Sequence, residues 1–311
     1  MFFKGRSLLT MRDLTADEIM ELLEFARKLK IKKKKGVYDK NMLNKNVALL
    51  FEKPSTRTRC SFITASHDEG AHADYLGQGD IHLGVKEDLR DTAGVLGRMY
   101  DIIGFRGFKQ STVEGLKKHS GIPVINGLSD DEHPTQILAD LLTVYEHFGT
   151  LHKIKLCYAG DGRNNVANSL LIGSAKMGLD YTVASPASLA PDPELVRECE
   201  GYAKKSGGSV HVVNDPAEGV KGAHVIYTDV WVSMGEEEKS KERLELLRPY
   251  QVNADLMRAS KRDDTIFLHP LPCVKGNEIT EDVFESRQSL VFDQAENRMH
   301  TIKAVMVAAL I

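Results

Sequence analysis

The chain has 311 residues with a formal net charge of −3 and an isoelectric point near 6.4. That length is about twice a typical domain, so two domains with separate cores are expected. The near-neutral balance excludes a general nucleic-acid binder.

At the amino end, "MFFKGRSLLTMRDL" lacks a long apolar core, and no segment approaches the ~20 apolar residues needed to span a bilayer. A soluble, cytoplasmic protein is expected. "LTADEIMELLEFARKL" carries Thr15 and Glu18 at capping-box spacing and predicts a helix. The basic run "KIKKKKG" follows it directly and reads as that helix's charged end, with contact to a polyanion as the alternative.

Val47 to Phe51 is a short continuous apolar run that fits a strand buried on both faces, and Pro54 blocks further pairing. Ser55, Thr56 and Thr58 are good helix caps. Phe62, Ile63 and Ala65 fall on a helical repeat that Glu69-Gly70 can close, so a helix begins at about Ser55. Its first turn gathers free N–H groups, the positive end of the helix dipole, hydroxyls and Arg57, all of which favour an oxyanion. The same residues also read as a capped, solvated helix start.

Further along, "AHADYLG", "EDLRDTAGVLGRMY", "DIIGFRG", "STVEGLKKHSG", "IPVING" and "HPTQILADLLTVYEHFG" alternate strand and helix, which predicts a parallel sheet covered by helices. The pattern restarts after Gly149-Thr150 with "KIKLCYAGDG", "NNVANSLLIGSAKMG", "YTVASP", "DPELVRECEGYAKKSG", "SVHVV", "AHVIYTD" and "DTIFLHPLP". "SLVFDQAENRMHTIKAVMVAALI" closes the chain and reads as a strand followed by a mostly apolar helix. The expected fold is α/β, with two Rossmann-like parallel-sheet domains, residues 1–149 and 150–293, flanking a cleft. Long helices join them, and a C-terminal helix over 294–311 packs back on the first domain.

The predicted strand ends carry polar groups: the cluster Ser55 to Arg59, then Arg106, His133 and Gln136, Asn164 and Asn165, Asp229 with Ser233 and Met234, and His269. "GDGRNN" lacks the G-x-G-x-x-G spacing because position 165 is asparagine, and no G-x-x-x-x-G-K-[ST] loop occurs, which counts against nicotinamide and NTPase chemistry. No G-x-S-x-G is present. His133 serves equally as a helix cap or a catalytic group. Cys60, Cys157, Cys199 and Cys273 are scattered, without C-x-x-C pairs or a His/Cys cluster at metal spacing, so reduced thiols and no zinc site are expected.

"STRTR", "HPTQ" and "HPLP" in this order resemble the signatures of the transcarbamoylase family over essentially the whole chain. "DVWVSMG" and "AENR" resemble segments of its ornithine-specific branch. That resemblance implies transfer of a carbamoyl group from carbamoyl phosphate to L-ornithine in arginine metabolism, with aspartate or putrescine as the alternative acceptor and no metal or organic cofactor. It implies that Ser55, Thr56, Arg57 and Thr58 bind phosphate while Arg106, His133 and Gln136 hold the carbamoyl end. It further implies that Asn165, Asp229, Ser233 and Met234 hold the α-amino acid end, that the Leu271 carbonyl meets the δ-amine, and that Arg298 helps close the site. In the family "DIHLGVKED" comes from a neighbouring subunit, which implies a homotrimer, or a multiple of trimers, with His82, joined by Lys86, acting in trans. A non-catalytic relative would ordinarily have lost Arg57, Arg106 or His133, and all are present. One departure stands out: the ornithine enzymes usually carry cysteine where this chain has Pro270. Cys273 follows nearby and reads either as a site residue or as a small packed hydrophobe.

Overall fold

Strand β1 (Asn46–Phe51) is buried from Val47 to Phe51, as its unbroken apolar run requires. Helix α1 (Ala16–Lys34), opened by the Thr15–Glu18 capping box, precedes it. After it come α2 (Thr56–Asp68), β2 (His72–Leu76), α3 (Leu89–Met99), β3 (Ile102–Arg106), α4 (Gln110–Ser120), β4 (Val124–Leu128) and α5 (Pro134–Phe148). The computed structural model describes residues 3–80, 87–232 and 240–311. It divides into two compact units, Met1–Leu142 with Glu296–Ile311, and Thr143–Ala295.

In the first unit the strands form a four-stranded parallel sheet of order β2-β1-β3-β4. Leu8 extends its edge by bridging to Ile125. One face buries Ala48, Leu50, Ile103 and Phe105 against Ala93 and Leu96 of α3 and Val113 and Leu116 of α4. Those helices meet backbone to backbone at Gly97, where an added Cβ would lie 1.8 Å from the Ser120 carbonyl oxygen. On the other face Phe62 of α2 crosses Gly104, where a Cβ would come within 3.0 Å of the ring. Because β1 pairs with both β2 and β3, the chain direction across the sheet reverses at β1/β3. Phe51 and Arg106 are aligned there, and ligands of open α/β sheets gather at this point.

The second unit contains β5 (Lys155–Ala159), α6 (Asn165–Lys176), β6 (Asp180–Ala184), α7 (Pro193–Ser206), β7 (Ser209–Val213), α8 (Pro216–Gly219) and β8 (Val225–Tyr227). It continues with α9 (Ser240–Leu247), α10 (Ala254–Ala259), β9 (Ile266–Leu268) and α11 (Glu281–Phe284). Its five-stranded parallel sheet has the order β7-β6-β5-β8-β9, so the reversal falls between β5 and β8. Cys157, Ile226 and Phe267 from the sheet, Trp231 and Met257 share one apolar cluster.

The expected strand in "SLVF" does not form. Ser289 makes a single bridge to Phe267, and Val291 already opens α12 (Val291–Leu310). An apolar run this short fits strand or helix equally by periodicity, and the longer helical repeat behind it decides the outcome. Among the described residues no helix is long and apolar enough to cross a membrane.

Candidate active site

The first cluster is built where β1 hands over to α2. Ser55 is the N-cap, its Oγ accepting from Thr58 N at 3.2 Å. Thr58 is fully buried, and its Oγ1 accepts from Arg298 Nη2 at 2.9 Å and from Arg106 Nη1 at 3.4 Å. Arg298 Nη1 donates to Gln136 Oε1 at 2.6 Å, and Gln136 Nε2 donates to Asp140 at 2.8 Å. One guanidinium therefore joins the first turns of α2 and α5. His133 precedes Pro134, and its carbonyl accepts from Gln136 N and Ile137 N, so it stands at the N-cap position of α5. Its position agrees with the reading of this residue as a helix cap.

Electrostatics characterise the cluster further. Burial, reinforced by the charges of Arg298, Arg106, Lys53 and Arg57, holds His133 well below the ordinary histidine pKa, so its ring is neutral. Burial and then the Arg57 charge bring Arg106 down to about 10. Both shifts record burial first and then cations gathered beside two helix N-termini. An oxyanion placed there would be bound by charge, dipole and hydroxyl together.

In the second unit the loop after β5 and the end of β8 meet at the sheet's reversal. Asn164 caps α6 through Oδ1, which accepts from Ala167 N at 2.7 Å. Its Nδ2 donates to Tyr158 Oη at 2.7 Å and approaches Asp229 Oδ2 at 3.4 Å. Asp229 Oδ1 accepts from Val230 N at 2.8 Å. Burial and then the Asp229 charge raise the Tyr158 pKa well above its ordinary value, leaving a neutral hydroxyl. Asp161 in the same loop forms an ion pair with Arg243 of α9. The carboxylate of Asp229 is thus fixed by neighbours and suited to an ammonium group.

After β9, His269 Nδ1 accepts from Leu271 N at 2.9 Å, and His269 N donates to Gln294 at 2.9 Å. His269 Nε2 lies 3.4 Å from the carboxylate of Glu278, both side chains being buried. Glu278 in turn accepts from Val274 N at 2.5 Å. Leu271 is held at φ 59° and the Leu271–Pro272 peptide is cis. A leucine takes that φ only when its surroundings impose it.

Two family models cover nearly the whole chain. The carbamoyl-P binding domain of aspartate/ornithine carbamoyltransferase matches residues 6–146, and the Asp/Orn binding domain matches residues 152–309. The chain belongs to the aspartate/ornithine carbamoyltransferase family. It is therefore a carbamoyltransferase, an enzyme of the transferase class. The ornithine carbamoyltransferase of Caldanaerobacter subterraneus subsp. tengcongensis is 55% identical over 308 residues, spanning 99% of this chain and 98% of that protein. A Bacillus licheniformis protein named ornithine carbamoyltransferase, catabolic, is 55% identical over 324 residues, spanning 99% and 97%. The solved structure of ornithine carbamoyltransferase from Pyrococcus furiosus superposes with a TM-score of 0.95 at 46% identity, covering 99% of this chain and 98% of that one. These names agree with the resemblance to the ornithine branch seen in the sequence.

Within this carbamoyltransferase the residues expected at the site fall as follows. Thr58, Arg106, Gln136 and the His133 ring belong to the first cluster, with Ser55 capping α2 and Thr56 and Arg57 in its first turn. Arg298, expected to help close the site, is bonded to Thr58 and Gln136 of the first cluster. Asp229 is joined through Asn164, while Asn165 is the first residue of α6. Tyr158 was missed, because an aromatic inside an apolar strand gives no signal of a hydroxyl facing a cap. Pro270 is buried and Leu271 half-buried. Cys273 packs against the core cluster of the second unit, and burial and then the Glu278 charge raise its thiol pKa, away from thiolate. His82, Lys86, Ser233 and Met234 lie outside the described residues. Cys60, Cys157 and Cys273 are free thiols, and among the described residues no cluster of His, Cys, Asp and Glu is arranged to hold a metal ion.

Proposed function

We propose that the chain transfers the carbamoyl group of carbamoyl phosphate to the δ-amine of L-ornithine, giving L-citrulline and phosphate, as a step of arginine metabolism. The observation that carries this reading is the Arg298 fork joining Thr58 and Gln136 beside a neutral, buried His133. Arg57, the α2 N-terminus and the hydroxyls of Ser55, Thr56 and Thr58 would take the phosphate. Arg106 and His133 would donate to the carbonyl oxygen as the amine attacks carbon and charge builds on that oxygen. The tetrahedral species then collapses by breaking the C–O bond to phosphate, and the amine proton leaves with the products. No covalent enzyme intermediate is required.

Asp229 and Ser233 would hold the ornithine α-ammonium, Asn165 its carboxylate, and Met234 the chain beside them. The Leu271 carbonyl would accept from the reacting amine without supplying a charge that keeps its proton. His82, and with it Lys86, would reach the site from a neighbouring subunit of a homotrimer in the cytoplasm. The relatives' names support ornithine as acceptor, and Asp229 supports it independently, because a second substrate carboxylate would meet like charge. The deciding experiment measures ureido product from carbamoyl phosphate with ornithine, putrescine and aspartate in parallel. Citrulline should form fastest, and a faster reaction with aspartate or putrescine would overturn ornithine as the acceptor.

A further inference from the structure

A buried polar seam runs between α1, the end of α2 and α12 in the first unit. Lys303 is 1% exposed, and its Nζ donates to Asp68 Oδ2 at 2.6 Å and lies 4.0 Å from Glu69 Oε1. Asp68 also receives Lys33 at 2.9 and 2.7 Å through its two oxygens. Glu69 Oε2 accepts from Asn41 N and Nδ2 at 3.1 and 2.8 Å. Lys30, 6% exposed, donates to Asn297 Oδ1 at 2.8 Å. The basic run in the last turns of α1 is therefore more than a solvated helix end. Lys30 and Lys33 turn inward and bind specific partners.

Buried ion pairs are a poor source of stability, since apolar replacements of similar volume are often neutral or stabilising. A directional network does fix how elements sit against one another. Here the fixed elements carry the site. Arg298 follows Asn297 directly, and Lys303 lies beyond it on the same helix, so α12 is pinned on both sides of the guanidinium. Helix α2 is held at Thr58 by Arg298 and at Asp68 by Lys303. A helix advances about 1.5 Å and turns about 100° per residue. A slip of a fraction of a turn would carry the Arg298 fork off Thr58 or Gln136.

We propose that Lys303, Asp68 and Lys30 are positioning residues for the carbamoyl phosphate site, holding α12 against α1 and α2 so that Arg298 reaches Thr58 and Gln136 together. This rests on reading that cluster as the carbamoyl phosphate site. Burial alone would raise the Asp68 pKa, but the bonds from Lys303 and Lys33 outweigh it and keep the carboxylate ionised.

The test uses the full chain carrying Asp68→Leu with Lys303→Met, which removes both charges and leaves apolar groups of similar reach. The expected result is KM for carbamoyl phosphate raised about tenfold or more, with KM for ornithine changed less than about twofold. An unchanged KM for carbamoyl phosphate overturns the proposal, and so does an equal rise in both KM values, which would mark general loosening. If the double variant does not fold, Lys30→Met, which removes the bond to Asn297, is judged by the same split. Wild-type protein that makes no citrulline would remove the reading of the cluster and the proposal with it, a failure distinct from an unaltered variant.

Discussion

Arg298 and Gln136 are joined by a 2.6 Å hydrogen bond between buried groups, and the same guanidinium reaches Thr58. A planar fork is needed to serve both acceptors, which an ammonium cannot reproduce. Arg298→Lys should therefore retain the charge but lose kcat/KM for carbamoyl phosphate by about 10². Steady-state kinetics on the folded variant check this, and near-normal turnover would reduce Arg298 to a structural cation.

Arg57 stands in the first turn of α2, where a leaving phosphate would gain charge. Its removal in Arg57→Ala should lower kcat/KM by about 10² or more, the usual effect of a lost charge-stabilising donor. Thermal unfolding should barely change. A variant with ordinary turnover would return "STRTR" to a capped helix start.

Much of this cluster was legible because its chemistry is local: Pro54 stops the strand, Ser55 caps the helix, and Arg57 follows in the same turn. What escaped notice depends on partners distant in sequence. Arg298 finds Thr58 across 240 positions, and Lys30 finds Asn297 across 267. Neither spacing nor periodicity signals such pairs. Asn164 and Asn165 are equivalent in sequence, and only the cap geometry shows that Asn164 faces Asp229. In "SLVF" the apolar run carried no period, and the helix behind it absorbed Val291 and Phe292.

The Asn164 arrangement leads to a prediction that separates capping from substrate binding. Asn164→Ser keeps a side-chain oxygen to cap α6, whereas Asn164→Ala loses the cap at about 1 kcal/mol of stability. Both remove the amide that reaches Tyr158 and Asp229. Both should raise KM for ornithine about tenfold, the worth of a hydrogen bond to a charged group. KM for carbamoyl phosphate should be unaffected. A Ser variant with wild-type KM for ornithine would show that Asp229 needs no such support.

The pH profile follows from the directions of two shifts. His133 has its folded pKa depressed, so it is already neutral at the ordinary histidine value and should produce no acid limb near 6.5. The δ-amine of ornithine resembles a lysine amine, so kcat/KM for ornithine should rise roughly tenfold per unit between about pH 7 and 9. Arg106, though brought down towards about 10 by burial and the Arg57 charge, stays charged across this range, so KM for carbamoyl phosphate should hold steady up to about pH 9. A profile breaking near pH 6.5 in the rising limb would assign His133 a titrating role instead.

Pro270 occupies the position where the ornithine enzymes usually carry cysteine, and the loop it begins is fixed without a thiol. Leu271 N is bound to His269, and Glu278 lies against both His269 and Val274 N. Cys273 stays protonated and packed, so Cys273→Ser should leave turnover within about twofold, since an ordered apolar contact is a minor loss beside the chemistry. Pro270→Cys introduces an N–H into a buried loop and relaxes its backbone. It should destabilise the fold by about 1–3 kcal/mol if that donor finds no acceptor. Acceptor choice should not change if, as proposed, Asp229 and its neighbours hold the acceptor's α-amino acid end. The check is competition between ornithine and aspartate in both proteins, with citrulline and carbamoyl-aspartate measured together. Preference for aspartate in the wild type, reversed by Pro270→Cys, would make position 270 the determinant of substrate and displace Asp229 from that role.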